Sequence, residues 1–158
     1  MSTFALPQKF QNWINKKKWG LHTHQIDVLT NSDRKSQLLI APTGSGKTLS
    51  GFLPTLIELD RVNFSGLHTV YVSPLKALAA DIKRNLMIPI EEMGLNIKVE
   101  DRTGDTTAKT KRRQRIDPPQ ILLTTPESLA LLISFPEANA LFANLERIII
   151  DEIHALVE

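Results

Sequence analysis

The chain has 158 residues, 42% of them hydrophobic and 23% charged, which suits one packed core and excludes a disordered or low-complexity chain. It holds no cysteine, which excludes disulfides, thiolate metal sites and cysteine nucleophiles, and its longest apolar run, 129–133, is far short of the roughly 18 residues of a membrane span. The formal charge of +2 is uneven, with seven Lys and Arg against two Asp and Glu in residues 1–50, and twelve against fifteen in 51–158. Apolar periodicity predicts helices over 7–18 and 23–30, the second with Thr23 as its N-cap. Residues 38–41, Leu-Leu-Ile-Ala, are a continuous apolar run before a Gly-rich turn, which predicts a strand buried on both faces, followed by a helix over 46–60. The same alternation then continues: strand 67–72, helix 75–93, strand 96–100, a charged helix over 108–115, strand 120–124, helix 127–134 and strand 147–150. Strands and helices in this order predict βαβ units, hence an α/β three-layer fold around a mostly parallel sheet, with ligands at the strand C-terminal ends. Residues 1–33 read as an N-terminal helical segment and 34–158 as the nucleotide-binding domain. With no leader pattern at the N-terminus, the expectation is a cytoplasmic protein without a membrane partner.

Residues 41–48, Ala-Pro-Thr-Gly-Ser-Gly-Lys-Thr, lie between a predicted strand and a predicted helix, where a phosphate-binding loop belongs. Glycines let successive N–H groups face a polyphosphate, and the helix that follows turns its positive end toward it. Thr43, Gly44, Ser45 and Gly46 would form the cradle, Lys47 would reach the β- and γ-phosphates, and the Thr48 hydroxyl would bind Mg²⁺. Ala41 stands where the general pattern opens with Gly. Such a loop needs an acid to hold the cation and a second group to orient the attacking water. Ile148-Ile149-Ile150-Asp151-Glu152 supplies both at the end of a predicted buried strand: Asp151 for Mg²⁺, Glu152 for the water, with His154 beside them. Together the two motifs predict an ATPase using ATP and Mg²⁺, with Lys47, Asp151 and Glu152 carrying the chemistry.

The phosphate loop followed at this distance by Asp-Glu-Ile-His resembles the superfamily 2 helicases of the DExH kind. Residues 73–81, Ser-Pro-Leu-Lys-Ala-Leu-Ala-Ala-Asp, resemble motif Ia; 102–106, Arg-Thr-Gly-Asp-Thr, resemble motif Ib; and 124–129, Thr-Thr-Pro-Glu-Ser-Leu, resemble the next strand-contacting motif. In combination they resemble the large helicase-related family, particularly its ligase-associated bacterial branch. The resemblance implies a RecA-like first helicase domain, C-terminally truncated, from an ATP-dependent 3′ to 5′ translocating DNA helicase acting in DNA repair, with a functional link to a DNA ligase. It implies that Gln25 recognises adenine and that His154 completes the nucleotide site. It further implies that Pro74, Leu75, Lys76, Thr103, Gly104, Asp105, Thr124, Thr125 and Pro126 line the face that takes single-stranded or forked DNA, RNA or an RNA–DNA hybrid.

Loops at strand ends offer amides and hydroxyls to phosphates whatever the base sequence, which suits a stepping motor. Lys76 reads either as a phosphate contact or as a solvated helix face. Arg84 reads as solvated helix surface, as does the run Lys109, Lys111, Arg112, Arg113 and Arg115. With Arg102 and Asp105 that run adds up to +5 locally, enough to steer a polyanion. Lys16, Lys17 and Lys18 fit a helix C-terminus, Trp13 and Trp19 fit a core, and His22 and His24 lack a third metal ligand. The helicase reading expects a second RecA-like domain to supply arginine fingers, so this chain alone is expected to show little turnover. The alternatives are a non-enzymatic nucleotide and nucleic-acid binding module, an RNA helicase fragment, or a small self-contained P-loop ATPase or kinase.

Overall fold

The computed structural model describes residues 5–42 and 44–156. Thr43, expected in the phosphate cradle, lies outside the described residues. In chain order the elements are α1 (Gln8–Lys16), α2 (Thr23–Thr30), α3 (Lys47–Arg61), β1 (Thr69–Val72), α4 (Lys76–Glu92), β2 (Val99–Arg102), α5 (Ala108–Ile116), β3 (Ile121–Thr124), α6 (Pro126–Ile133), α7 (Ala138–Leu141), β4 (Arg147–Ile150) and a 3-10 turn over Ile153–Leu156. The four strands form one sheet in the order β2-β3-β1-β4, and every pairing is parallel.

The register places Tyr71 between Leu123 and Ile149. Because side chains alternate along a strand, Tyr71, Leu123 and Ile121 face α3 and α4, where they pack with Phe52, Leu53, Leu56, Ile82 and Leu86. Val70, Val72 and Leu122 face the opposite way, onto Leu132 and Leu141 of α6 and α7. Helices therefore cover both faces, which is why β1 and β3 are buried at every position.

β4 differs. Arg147 and Ile149 turn toward α3, but Ile148 and Ile150 stay 56% and 49% exposed, and the outer edge of β4 has no neighbour among the described residues. The strand expected over 38–41 is not formed: Leu38 and Ile40 are 74% and 85% exposed, and only Leu39 and Ala41 are half-buried. Gln37 donates from Nε2 to Asn31 O at 2.7 Å, so this stretch is tied to the end of α2 rather than laddered to a strand. An apolar run is read as a strand only because a neighbour is assumed, and here no ladder forms.

Two smaller differences have local causes. Helix α2 starts at Thr23 itself; its cap is His22, whose N–H donates to Gln25 Oε1 at 2.9 Å in a capping box. Strand β2 runs on through Asp101 and Arg102, two residues past the expected end at 100, because its ladder with β3 continues until Arg102 is opposite Thr124.

Candidate nucleotide and nucleic-acid site

Helix α3 fixes where the phosphate loop points. Near its C-terminus Glu58 meets Arg147, at the start of β4; one turn earlier Thr55 bonds Thr69, at the start of β1. Phe52 then stacks on Tyr71 at 5.4 Å, and Gly51 comes so close to Ile149 that a Cβ there would sit 3.4 Å from it. The helix thus runs antiparallel to the strands and lifts Lys47 to the C-terminal edge of the sheet, the edge on which Asp151 follows β4. The positive end of a 15-residue helix there is the kind of end that attracts an anion.

The loop itself is held by its own backbone. Gly44 and Gly46 have φ of 78° and 77°, the left-handed region that glycine enters without a Cβ penalty. Ser45 donates to Pro42 O from both N–H and Oγ, at 3.3 and 2.6 Å, and Lys47 Nζ donates to Ala41 O at 2.6 Å. Thr48 follows Lys47 in the first turn of α3, half-buried beside the loop. Gln25 is 4% exposed and bridges two elements, its Nε2 donating to Gly46 O at 3.4 Å while Oε1 caps α2. A Cβ on Gly46 would lie 2.8 Å from that Nε2, so the cradle and the glutamine fit together only around a glycine. Gln25 thereby sits against the loop, twenty-one residues downstream in sequence.

At the acidic end, Asp151 N–H donates to Val72 O at 2.9 Å, extending the ladder by one residue. Its Oδ1 accepts from Glu152 N–H at 2.9 Å and its Oδ2 accepts from the Tyr71 hydroxyl at 2.6 Å. Burial, and the carboxylate that accepts its proton, push the Tyr71 phenol above its ordinary range. Glu152 has a φ of 50°, a costly conformation for a residue with a Cβ, and His154 Nε2 lies 3.4 Å from its carboxylate. Strain of this kind collects where geometry matters more than comfort. The glycine cradle, the helix end and the strand-end carboxylate fit the demands of a magnesium nucleotide: Gly44 to Thr48 would hold the phosphates, and Thr48 and Asp151 the cation.

The expected nucleic-acid residues converge as well. Residues 73–75 follow β1, 103–107 follow β2 and 125–126 follow β3, and these three strands are neighbours, so their loops share the C-terminal edge. Lys76 Nζ pairs with Asp105 Oδ1 at 3.1 Å, and Lys111 Nζ donates to Gly104 O at 3.2 Å, joining α4 and α5 to the 103–107 loop. Thr103 Oγ1 accepts from Asp105 N–H, which braces the turn. Leu75 is 57% exposed beside Pro74. Thr125 caps α6 by accepting from Ser128 N–H, with Pro126 in the first turn.

Two expectations change. Thr124 is wholly buried and donates to Arg102 O at 2.7 Å, so its hydroxyl holds β3 to β2 and faces no ligand. Arg102 is 4% exposed, with Nη1 donating to Lys111 O and Gln114 Oε1, and is withdrawn from the surface charge. Arg113 turns to Glu100, and Arg115 lies 3.9 Å over the Phe135 ring. The sequence reading does not single out Tyr71; the one signal for it is a hydroxyl-bearing ring between the two valines of β1.

Comparison with known proteins agrees with this geometry. The ATP-dependent helicase Lhr-Core of Methanocaldococcus jannaschii is 43% identical over 167 residues, spanning 96% of this chain and 20% of that protein. The Lhr helicase/uracil glycosylase of Escherichia coli is 41% identical over 138 residues, spanning 75% of this chain and 9% of that protein. The structure of Mycobacterium smegmatis helicase Lhr bound to ssDNA and AMP-PNP matches with a TM-score of 0.84 and 37% identity, over 95% of this chain and 20% of that one. The parallel sheet is that of a helicase RecA-like domain, and the chain spans about a fifth or less of the length of these relatives. A model of the DEAD/DEAH box helicase family matches residues 22–158. That match runs from the residue capping α2 to the last residue and takes in both nucleotide motifs and all three loops: the chain belongs to the DEAD/DEAH box helicases.

Proposed function

We propose that this chain is the ATP-binding part of an ATP-dependent helicase that couples hydrolysis of Mg-ATP to movement along a nucleic-acid strand. The observation that carries the reading is that α3 delivers the phosphate loop to the sheet edge at which Asp151 and Glu152 end β4. Gly44, Ser45, Gly46 and the N–H groups opening α3 bind phosphate oxygens, Lys47 balances the charge on the outer phosphates, and Gln25 selects the base. Bound magnesium would neutralise phosphate charge as the terminal bond breaks. Thr48 and Asp151 hold the cation, Glu152 orients the attacking water, and His154 supports Glu152 from 3.4 Å.

The strand lies across Pro74 to Lys76, Thr103 to Asp105, and Pro126, which contact backbone phosphates rather than bases, while Thr125, buried with its hydroxyl bonded to Ser128, holds that loop in place. DNA is the favoured strand, supported by the ssDNA held by the Mycobacterium smegmatis relative. The resemblance of its motifs to the ligase-associated branch supports a role in DNA repair with a functional link to a DNA ligase, and a second RecA-like domain would supply the arginine fingers. Titration with a fluorescent ATP analogue, beside steady-state hydrolysis with and without single-stranded DNA, tests the reading. Lys47→Ala is expected to abolish nucleotide binding, and Glu152→Gln to keep binding while removing hydrolysis. Equal affinity in wild type and Lys47→Ala overturns it.

A further inference from the structure

We propose that Tyr71 is a positioning residue for Asp151, holding its carboxylate in the one orientation that meets a divalent cation bound with nucleotide phosphates. This rests on the nucleotide-binding reading above and deepens it.

Tyr71 is 1% exposed in the middle of β1, with Leu123 and Ile149 opposite it on the flanking strands. Phe52, five residues after Lys47 on the same helix, stacks on its ring at 5.4 Å with 28° between the planes. A ring held on three sides has no rotational freedom to give. A core of this shape would be filled equally well by phenylalanine, and burying a phenol hydroxyl is unfavourable unless it is bonded. The hydroxyl is bonded to Asp151 Oδ2, at 2.6 Å.

The second carboxylate oxygen accepts from Glu152 N–H and the Asp151 backbone is tied to Val72 O, so the residue is fixed at three points, two of them on its carboxylate. An ionised carboxylate offers about four acceptor directions, so these two bonds leave each oxygen a lone pair for a cation or its water. Groups that orient a metal-binding side chain in this way typically change metal affinity by roughly 10–100-fold when removed. The contacts also form a chain from the phosphate-loop helix to the acid: Phe52 to Tyr71 to Asp151.

The test is Mg²⁺ dependence. Binding of a fluorescent ATP analogue is titrated with Mg²⁺ in wild type, Tyr71→Phe, Asp151→Asn and the double variant, and again in EDTA. Tyr71→Phe is expected to raise the Mg²⁺ concentration for half-maximal binding by about tenfold, to leave affinity in EDTA unchanged, and to add nothing once Asp151 is Asn. An unchanged midpoint, or the same shift in the Asp151→Asn background, overturns the inference. Since the chain has a single tyrosine, uniform 3-fluorotyrosine labelling gives one ¹⁹F signal, a readout that needs no substitution at position 71. That signal should move on adding Mg²⁺ with nucleotide in wild type and stay still in Asp151→Asn; a still signal in both overturns the inference. Loss of nucleotide binding in Lys47→Ala with an unmoved Mg²⁺ midpoint in Tyr71→Phe overturns this inference alone. Wild type that binds no nucleotide overturns the nucleotide reading, and this inference with it.

Discussion

Gly46 and Gln25 constrain one another. An alanine at 46 would have to hold a φ of 77° and place its Cβ 2.8 Å from Gln25 Nε2, while Gln25 is itself buried and committed to capping α2. The left-handed backbone alone costs an L-residue roughly 1–2 kcal/mol. Gly46→Ala should therefore lower the melting temperature by about 2–8 °C for a chain of this size and weaken nucleotide binding. A thermal melt matching wild type would mean that neither the backbone nor Gln25 imposes that cost. Gly44 is the natural control, since a Cβ there meets nothing within 4 Å and pays only for the backbone. Lys47, Asp151 and Glu152 can be proposed from the sequence alone because their motifs are contiguous and the chemistry proposed for them depends on residue type at fixed spacing. Tyr71 cannot, since its partner is 80 residues away and only the register of β1 beside β4 brings them together. Thr124 differs for the converse reason, because helices cover both faces of β3 and its hydroxyl bonds back to Arg102 O on the neighbouring strand.

Between elements, the start of the sheet is tied by a polar cluster. Glu58 of α3 accepts from Arg147 Nη1 and Nη2 at 2.6 and 2.8 Å, His68 lies 3.4 Å from the same carboxylate, and Thr55, Thr69 and His68 Nδ1 complete the set. Burial alone would raise the Glu58 pKa, but the bonds from Arg147 and His68 outweigh it and bring it from 4.5 down to about 2. A carboxyl whose folded pKa is depressed contributes stability that is complete above its unfolded value and is lost as pH falls through the folded one. That window runs from 4.5 down to about 2. Urea unfolding across it should show wild type losing stability more steeply than Glu58→Gln; parallel slopes would mean that the cluster does not couple to folding. The alternation of helices with strands was readable at this scale, because parallel strands buried on both faces leave continuous apolar runs. Residues 38–41 have the same run without a ladder, and α7 is too short to leave a periodic signature.

Across the molecule, three loops from neighbouring strands share one edge while Arg102, Arg113 and Arg115 are drawn into contacts that lower the charge visible from outside. At the edge proposed to take the strand, Lys76 is paired with the highly exposed Asp105. If Lys76 trades that partner for a phosphate, Lys76→Ala should weaken binding to single-stranded oligonucleotides of any sequence and flatten the dependence of log affinity on log salt by about 0.7. An unaltered slope would return Lys76 to the role of a solvated helix residue. Helix α1 attaches to the opposite end of α4, where Glu92 accepts from Trp13 Nε1 and from Lys17 Nζ, both at 2.6 Å, and Trp19 meets Trp13 edge-on at 5.5 Å. These are the only two tryptophans in the chain. Tryptophan emission is consequently a local instrument: both emitters sit where α1 meets α4, so an optical melt followed at that wavelength reports the seating of that helix directly and the sheet only through it.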